Sequence, residues 1–398
     1  MKDQYSNVKS IGMDVHYKSS EVCMTDGEQK VVRRERLDHA DRKRLREKVS
    51  RWPKGVPVVM ESSYGWGWLS EELTACGLTV QLSNCYKVKR WAKIHGAVHN
   101  NKADARTQSL VAFEKGDWWK VWLPPPGVRD DRCYLHYRQD LVQTNVQLRN
   151  RIHAIMHENG ILHEFSDLFG VGGRAFLKEL AKTGRWQEVQ LRDGALEALR
   201  GLLALWHDVR GAIAAADRRL RDLLENSPST RRLDTLPGIG VILAHTIAAE
   251  VGTIRRFHGE GALSRYGLVA PEDNTTGDQD PSRGGMGQHV PRHGNVRLKW
   301  ALVEAAQGAK RKSPRLARIY NAYTNGGRSR RQQGLVRIAH ELARLVYLVL
   351  DREVDYQEPA EPSAPRRASK PSRRERLRKW LQTRSAAGQP SPAMAAVR

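Results

Sequence analysis

Two apolar segments near the start of the sequence each close on a carboxylate. Lys9-Ser10-Ile11-Gly12-Met13-Asp14 ends on one, and Val56-Pro57-Val58-Val59-Met60-Glu61 ends on another. A third acid, Asp104, follows in Asn100-Asn101-Lys102-Ala103-Asp104-Ala105-Arg106. A carboxylate at the end of a buried strand is costly to desolvate unless a cation shares its site. Divalent ions meet that need, because hard cations take oxygen ligands and a two-metal site activates one phosphodiester oxygen while stabilising the leaving one. The pattern points to metal-dependent phosphodiester chemistry on Asp14, Glu61 and Asp104. Such a site draws its acids from non-adjacent strands, which this spacing supplies.

Two further stretches carry residues suited to phosphate. Leu236-Pro237-Gly238-Ile239-Gly240-Val241 reads as the turn of a helix-hairpin-helix. Gly238 and Gly240 would let backbone approach a phosphate at the start of a helix, with Ile239, Leu243 and Ile247 facing the core. A tight turn with no nucleic-acid contact is the alternative. Downstream, Tyr266-Gly267-Leu268-Val269-Ala270-Pro271 leads to Asn274-Thr275-Thr276-Gly277 and then to Arg292-His293-Gly294-Asn295-Val296-Arg297. A hydroxyl before glycine, followed by Arg292 and Arg297, has the makings of a nucleophile on a phosphodiester. The same Thr276-Gly277 pair also serves as an ordinary turn.

The elements that must position these residues fall into blocks. Residues 1–123 alternate strand-like and helix-like segments. Ile11–Asp14, Glu21–Thr25 and Val31–Leu37 read as a meander, followed by a charged helix over Asp38–Arg51. A strand over Val56–Met60, a helix over Trp66–Cys76, a strand over Leu78–Leu82 and a helix over Tyr86–Ile94 complete the block. Three strands followed by alternating helix and strand suit an RNase H-like α/β domain. Pro124-Pro125-Pro126-Gly127 breaks the chain, and no proline follows until Pro228, which permits long helices over 124–228. There Leu199, Leu202, Trp206, Val209, Ile213, Ala216, Leu220 and Leu223 form a heptad seam. Leu141, Leu148 and Ile155 form a weaker one. A dimerising coiled coil and an intramolecular helical hairpin both satisfy this spacing. Residues 229–356 read as a mostly helical unit, and 357–398 as a basic, disordered tail.

Composition narrows the partners. The 398 residues contain 67 Lys and Arg against 44 Asp and Glu, a formal net charge of +23, which selects a polyanion such as nucleic acid. Cys23, Cys76, Cys85 and Cys133 lack paired spacing, so neither a zinc site nor a disulfide framework is expected. The N-terminus lacks the apolar core of a signal peptide, and the strongest apolar run, Leu345–Leu350, is too short to span a bilayer. The expected location is cytoplasmic and nucleoid-associated, with no membrane partner.

The order of these motifs resembles a known family. Ile-Gly-Met-Asp-Val-His at 11–16, Met-Glu-Ser-Ser-Tyr-Gly at 60–65 and Lys-Ala-Asp-Ala-Arg at 102–106 are joined by Leu-Pro-Gly-Ile-Gly at 236–240 and Gly-Leu-Val-Ala-Pro at 267–271. With His-Gly-Asn-Val-Arg-Leu-Lys-Trp-Ala-Leu-Val-Glu-Ala-Ala at 293–306, the set is similar to the IS110 family of insertion-sequence transposases over about residues 8 to 350. The resemblance implies an RNase H/RuvC-like DEDD domain, a coiled-coil connector and a C-terminal transposase domain with a catalytic serine. It implies a recombinase that joins element and target double-stranded DNA, guided by a structured bridge RNA. The serine would act as nucleophile, with the DEDD carboxylates and Mg²⁺ completing a composite site across the protomers of a dimer or tetramer.

Carried over, the DEDD positions fall on Asp14, Glu61, Asn101 and Asp104. A shifted register would instead use Asp104 and Thr107. Asn101 offers a neutral carbonyl where the family has a carboxylate, which lowers the expected metal affinity. The family's Ser-Gly falls on Thr276-Gly277; Ser282 does not match in position. Gly238, Gly240, Arg292 and Arg297 are the residues expected to meet nucleic acid. Three readings follow: an active recombinase; a diverged or domesticated relative that binds RNA and DNA but cleaves weakly, motivated by Asn101 and Thr276; and a junction-resolving nuclease using only the N-terminal domain, which the intact second domain disfavours.

Overall fold

A computed structural model describes residues 5–97, 100–224, 227–270, 294–324 and 330–359. The chain divides into two compact units, Met1–Pro126 and Gly127–Arg398.

The first unit is built on a mixed sheet. Strands β1 (Ser10–Val15), β2 (Ser19–Thr25) and β3 (Val31–Asp38) form the expected antiparallel meander. Asp26 closes the β2–β3 turn by accepting from the backbone N–H of Glu28 and Lys30 at 3.0 and 2.9 Å. Helix α1 (Arg42–Val49) is capped by Asp41, which accepts from Arg44 N. Then come β4 (Pro57–Glu61), α2 (Trp66–Ala75), β5 (Thr79–Ser83), α3 (Cys85–Ile94), α4 (Asn101–Val111) and a short β6 (Lys120–Val121). The strand order is β3-β2-β1-β4-β5-β6, with β4 parallel to β1 and β5. β1 and β4 are thus hydrogen-bonded neighbours, so Asp14 and Glu61 come from adjoining strands and not from non-adjacent ones as the spacing suggested.

Alternation along the strands sorts side chains into two layers. Ile11, Met13, Val58 and Met60 pack with Leu45, Val49, Leu69 and Leu73 of α1 and α2. Val59 points the other way, into a cluster with Val88 of α3, Val111 of α4 and Trp119. Helices therefore cover both faces.

Among its described residues, the second unit is helical apart from one small hairpin. It comprises α5 (Pro126–Glu158), α6 (Val171–Thr183), the hairpin β7 (Arg185–Trp186) and β8 (Val189–Gln190), and α7 (Asp193–Leu224). After these come α8 (Pro228–Asp234), α9 (Val241–Val251), α10 (Glu260–Tyr266), α11 (Val296–Lys312), α12 (Pro314–Thr324) and α13 (Arg331–Arg352). The proline run acts as a helix start, its last proline opening α5.

The heptad seam of α7 is used within the chain. Leu199 and Trp206 share a buried cluster with Leu148, Ile152 and Met156 of α5, and Leu220 packs with Leu135. Arg138 Nε donates to Asp217 Oδ1 at 2.8 Å, and Arg219 stacks over Tyr134. These contacts are those of a helical hairpin. Leu205 and Leu223 remain exposed.

The largest cluster joins α9, α11 and α13. Leu298, Ala301, Leu302, Ala305, Ala306 and Ala309 recur at helical spacing along α11 and are buried against Ile247, Ile338 and Leu342. The described chain runs past the expected tail boundary: Glu358 accepts from Ser313 Oγ at 2.6 Å and from Tyr356 OH at 2.7 Å.

Candidate functional site

The β1–β4 ladder aligns Ile11 with Val58, Gly12 with Val59 and Met13 with Met60. Asp14 and Glu61 are the next residues on each strand, so the two carboxylates emerge side by side where the parallel pair ends. By the alternation of the strands they share the face of Gly12 and Val59.

That face is covered by α4, and Gly12 is the reason it can be. A β-carbon at Gly12 would lie 2.1 Å from both the carbonyl oxygen of Ala105 and the amide of Ser109. Without one, α4 lies flat on β1 and carries Asp104, beside Ala105 in its first turn, toward Asp14. The start of α4 is fixed by Asn100, whose Oδ1 accepts from Ala103 N at 2.9 Å, and by Arg34, which donates to Lys102 O at 2.8 Å. Asn101 is exposed one turn before Asp104, and Thr107, the alternative seat, is buried.

The acids interact. Burial pushes the Asp14 carboxyl above its ordinary value, the charges of Asp104 and Glu61 push it further, and His16 opposes them. His16 Nε2 stands 3.0 Å from Asp14 Oδ2, yet this buried oxygen has no hydrogen bond of acceptable geometry. Lys89 Nζ lies 3.9 Å from Glu61. Cys85, whose thiol is raised chiefly by burial, lies 3.7 Å from Ser62. Among the described residues no three His, Cys, Asp or Glu side chains close into a metal-holding group. A largely buried Asp14 carboxylate beside two further acids nevertheless suits a hard divalent cation.

In the second unit, the turn between α8 and α9 is present, with Ile239 and Ile247 buried as expected, Leu243 partly buried against the same cluster, and Leu236 buried as well. Gly238 has φ +80°, and a β-carbon on it would meet Ala305 O at 2.2 Å and Ala309 N at 2.4 Å. Close packing on α11 thus accounts for this glycine without any phosphate. Gly240 is exposed and caps α9. Arg297 is directed inward: it donates to Gln139 and lies 3.8 Å from Asp140, both on α5. Thr276 and Arg292 lie outside the described residues.

A buried polar network sits between α5, α9 and the start of α11. His136 Nε2 lies 2.8 Å from Glu250 Oε1, and Asn295 Nδ2 donates to Oε2 at 2.7 Å and reaches Tyr266 OH at 3.0 Å. Arg132 donates to the backbone carbonyls of Ala249 and Glu250, and Arg256 to those of Val251 and Glu250. Burial alone would raise the Glu250 carboxyl. The bonds from His136 and Asn295 and the charge of Arg132 hold it below its usual value. Asn295 also caps α11 by accepting from Leu298 N at 2.8 Å. Only this last role carries a local signal, an asparagine just before an apolar helical run.

Comparison with known proteins matches both units. The family described as "Transposase IS116/IS110/IS902 family" matches residues 230–321. A second model, described as "Transposase" and specific to DEDD transposases of the IS110 type, matches residues 11–159. The transposase for insertion sequence element IS1111A of Coxiella burnetii is 23% identical over 90% of this chain and 92% of its own length. A probable family 20 transposase of Pseudomonas aeruginosa is 25% identical over 88% and 99%. The transposase for IS1328 of Yersinia enterocolitica is 24% identical over 86% and 97%.

Proposed function

We propose that this chain, which belongs to the IS110/IS116/IS902 family of transposases, cuts and rejoins DNA with Thr276 as nucleophile and a metal-binding group formed by Asp14, Glu61 and Asp104. Members of this family are enzymes acting on DNA. The observation that supports the reading best is the paired exit of Asp14 and Glu61 from adjoining parallel strands beneath the first turn of α4. The sheet order, with helices on both faces, supports an RNase H/RuvC-like reading of the first unit.

Asp14, Glu61 and Asp104 supply anionic oxygens, and Asn101 offers a neutral carbonyl one turn from Asp104. A divalent ion held there, Mg²⁺ as the family resemblance implies, would polarise the scissile phosphodiester and stabilise the leaving oxygen. The Thr276 hydroxyl attacks phosphorus, forming a threonyl phosphodiester and releasing the DNA hydroxyl, which takes up a proton as the threonine loses one. A hydroxyl of the partner strand then displaces the threonine, so no net bond is lost. We place this chemistry in a homo-oligomer, dimer or tetramer, acting on double-stranded DNA in the cytoplasm and guided by a bridge RNA. The charge of +23 supports such partners.

The test is a reaction of purified protein, RNA transcribed from the flanking sequence, Mg²⁺ and a donor–target DNA pair, read as a covalent protein–DNA adduct. Wild type and Thr276→Ser form it; Thr276→Ala and Asp14→Asn do not. An adduct in Thr276→Ala removes the threonine from the mechanism. If wild type forms none while the Asn101→Asp, Thr276→Ser double variant does, the weakly cleaving reading motivated by those two positions replaces this one.

A further inference from the structure

Each strand-end acid is followed three residues later by an exposed tyrosine: Tyr17 after Asp14, and Tyr64 after Glu61. The two residues are 86% and 90% exposed. Both line one groove of about 1460 Å³ on the first unit, together with Lys18, Arg36, Arg44 and Trp68. Seven Lys and Arg residues line it against four Asp and Glu. Trp68 is already occupied, stacked by Arg42 at 4.1 Å and met edge-on by His39 at 5.0 Å. Among the described residues, Tyr17 and Tyr64 have no ring partner of this kind.

His16 connects this groove to the acids, since it lines the groove and stands 3.0 Å from Asp14. Two open aromatic faces in a cationic groove form a stacking platform for bases, with cations placed to follow phosphates. The platform selects unpaired bases, because a duplex hides its base faces in its own stack.

We propose that this groove binds an unpaired stretch of nucleic-acid strand, with bases stacked on Tyr17 and Tyr64 and phosphates on Lys18, Arg36 and Arg44, and that it leads that strand toward Asp14 and Glu61. The proposal rests on the reading of those acids as the cutting site. The strand is DNA or RNA, which share this chemistry.

The experiment uses full-length protein and oligonucleotides carrying 5-iodouracil, one arm DNA and one arm RNA, irradiated and mapped by peptide mass spectrometry. Cross-links at Tyr17 or Tyr64 are expected, and the arm that gives them identifies the strand. In parallel, the Tyr17→Ala, Tyr64→Ala double variant should bind the single strand on the order of tenfold or more weakly. Its affinity for a duplex of equal length should change less than about twofold, since duplex binding is carried by phosphate contacts. Tyr17→Phe with Tyr64→Phe should restore single-strand binding. No cross-link at either tyrosine in both arms, or an equal loss for duplex and single strand, overturns the proposal. Cross-linking needs no cutting, so Asp14→Asn should retain it, and failure of the cleavage reading leaves this result intact.

Discussion

Gly12 and Ala105 approach so closely that a single β-carbon on the glycine would sit 2.1 Å from the alanine carbonyl oxygen. The obstacle is backbone, which cannot rotate away as a side chain can. This contact lays α4 on the sheet and sets the position of Asp104 relative to Asp14. Gly12→Ala should therefore destabilise the first unit by at least about 1–3 kcal/mol, the usual range for overpacking. It should also abolish cutting, while Gly27→Ala, with only the Lys9 side chain nearby, should do neither. Thermal denaturation alongside a cleavage assay distinguishes the two glycines.

A divalent ion held by the acids should stabilise the protein by mass action. At a hundredfold excess over its Kd the effect is about 2.7 kcal/mol. Mg²⁺ should raise the Tm of wild type, and Asp14→Asn or Glu61→Gln should remove most of the rise. Asn101→Asp should enlarge it by adding charge to the ligand set. An identical rise in wild type and Asp14→Asn would show that the ion binds elsewhere.

Glu250 gives the second unit a defined response to acid. Its carboxyl is held below the ordinary value of 4.5 by His136, Asn295 and Arg132 despite burial. A lowered folded value means the stabilisation is complete above 4.5 and is lost as pH falls through the lowered value. Denaturant titrations between neutral pH and about pH 3 should show this loss in wild type and a shallower slope in Glu250→Gln. At neutral pH the variant should be less stable by about 3–5 kcal/mol, because Arg132 loses a buried counter-charge.

The glycines of the α8–α9 turn should separate packing from binding. Gly238→Ala forces a β-carbon into the backbone of α11 at a positive φ, so it should lower the Tm sharply. Gly240 has open space around it. Gly240→Ala should cost only about 1 kcal/mol or less, the difference between glycine and alanine at a helix N-cap, and weaken DNA binding only where backbone there meets phosphate. Unchanged affinity in that variant would assign the whole turn to packing.

The sheet was readable because its strands alternate cleanly and close on acids, and Asp14 and Glu61 stood out for the same reason. Their spatial adjacency was not readable, since the order of parallel strands depends on crossovers and not on local spacing. The seam of α7 was visible in its spacing, but spacing does not say whether Trp206 meets Ile152 of the same chain or a second copy. The Glu250 network was invisible: His136 is 114 residues away and Asn295 is 45, and neither carries a local pattern. The flexibility of Gly238 is legible in the sequence, but its close packing on α11 is not, because a helix contact as near as that with Ala305 leaves no trace in composition.

Helix α5 falls within the segment matched by the N-terminal family model, residues 11–159, yet its side chains Arg132, His136 and Gln139 are bound to α9 and α11. Sequence modularity and structural modularity therefore disagree by one long helix. A chimera joined with a relative near residue 126 inherits the Glu250 network whole. One joined near residue 159, where the family boundary invites the cut, must match a foreign α5 to a native α9. Recombination between diverged elements of this kind should leave viable hybrids at the first junction far more often than at the second.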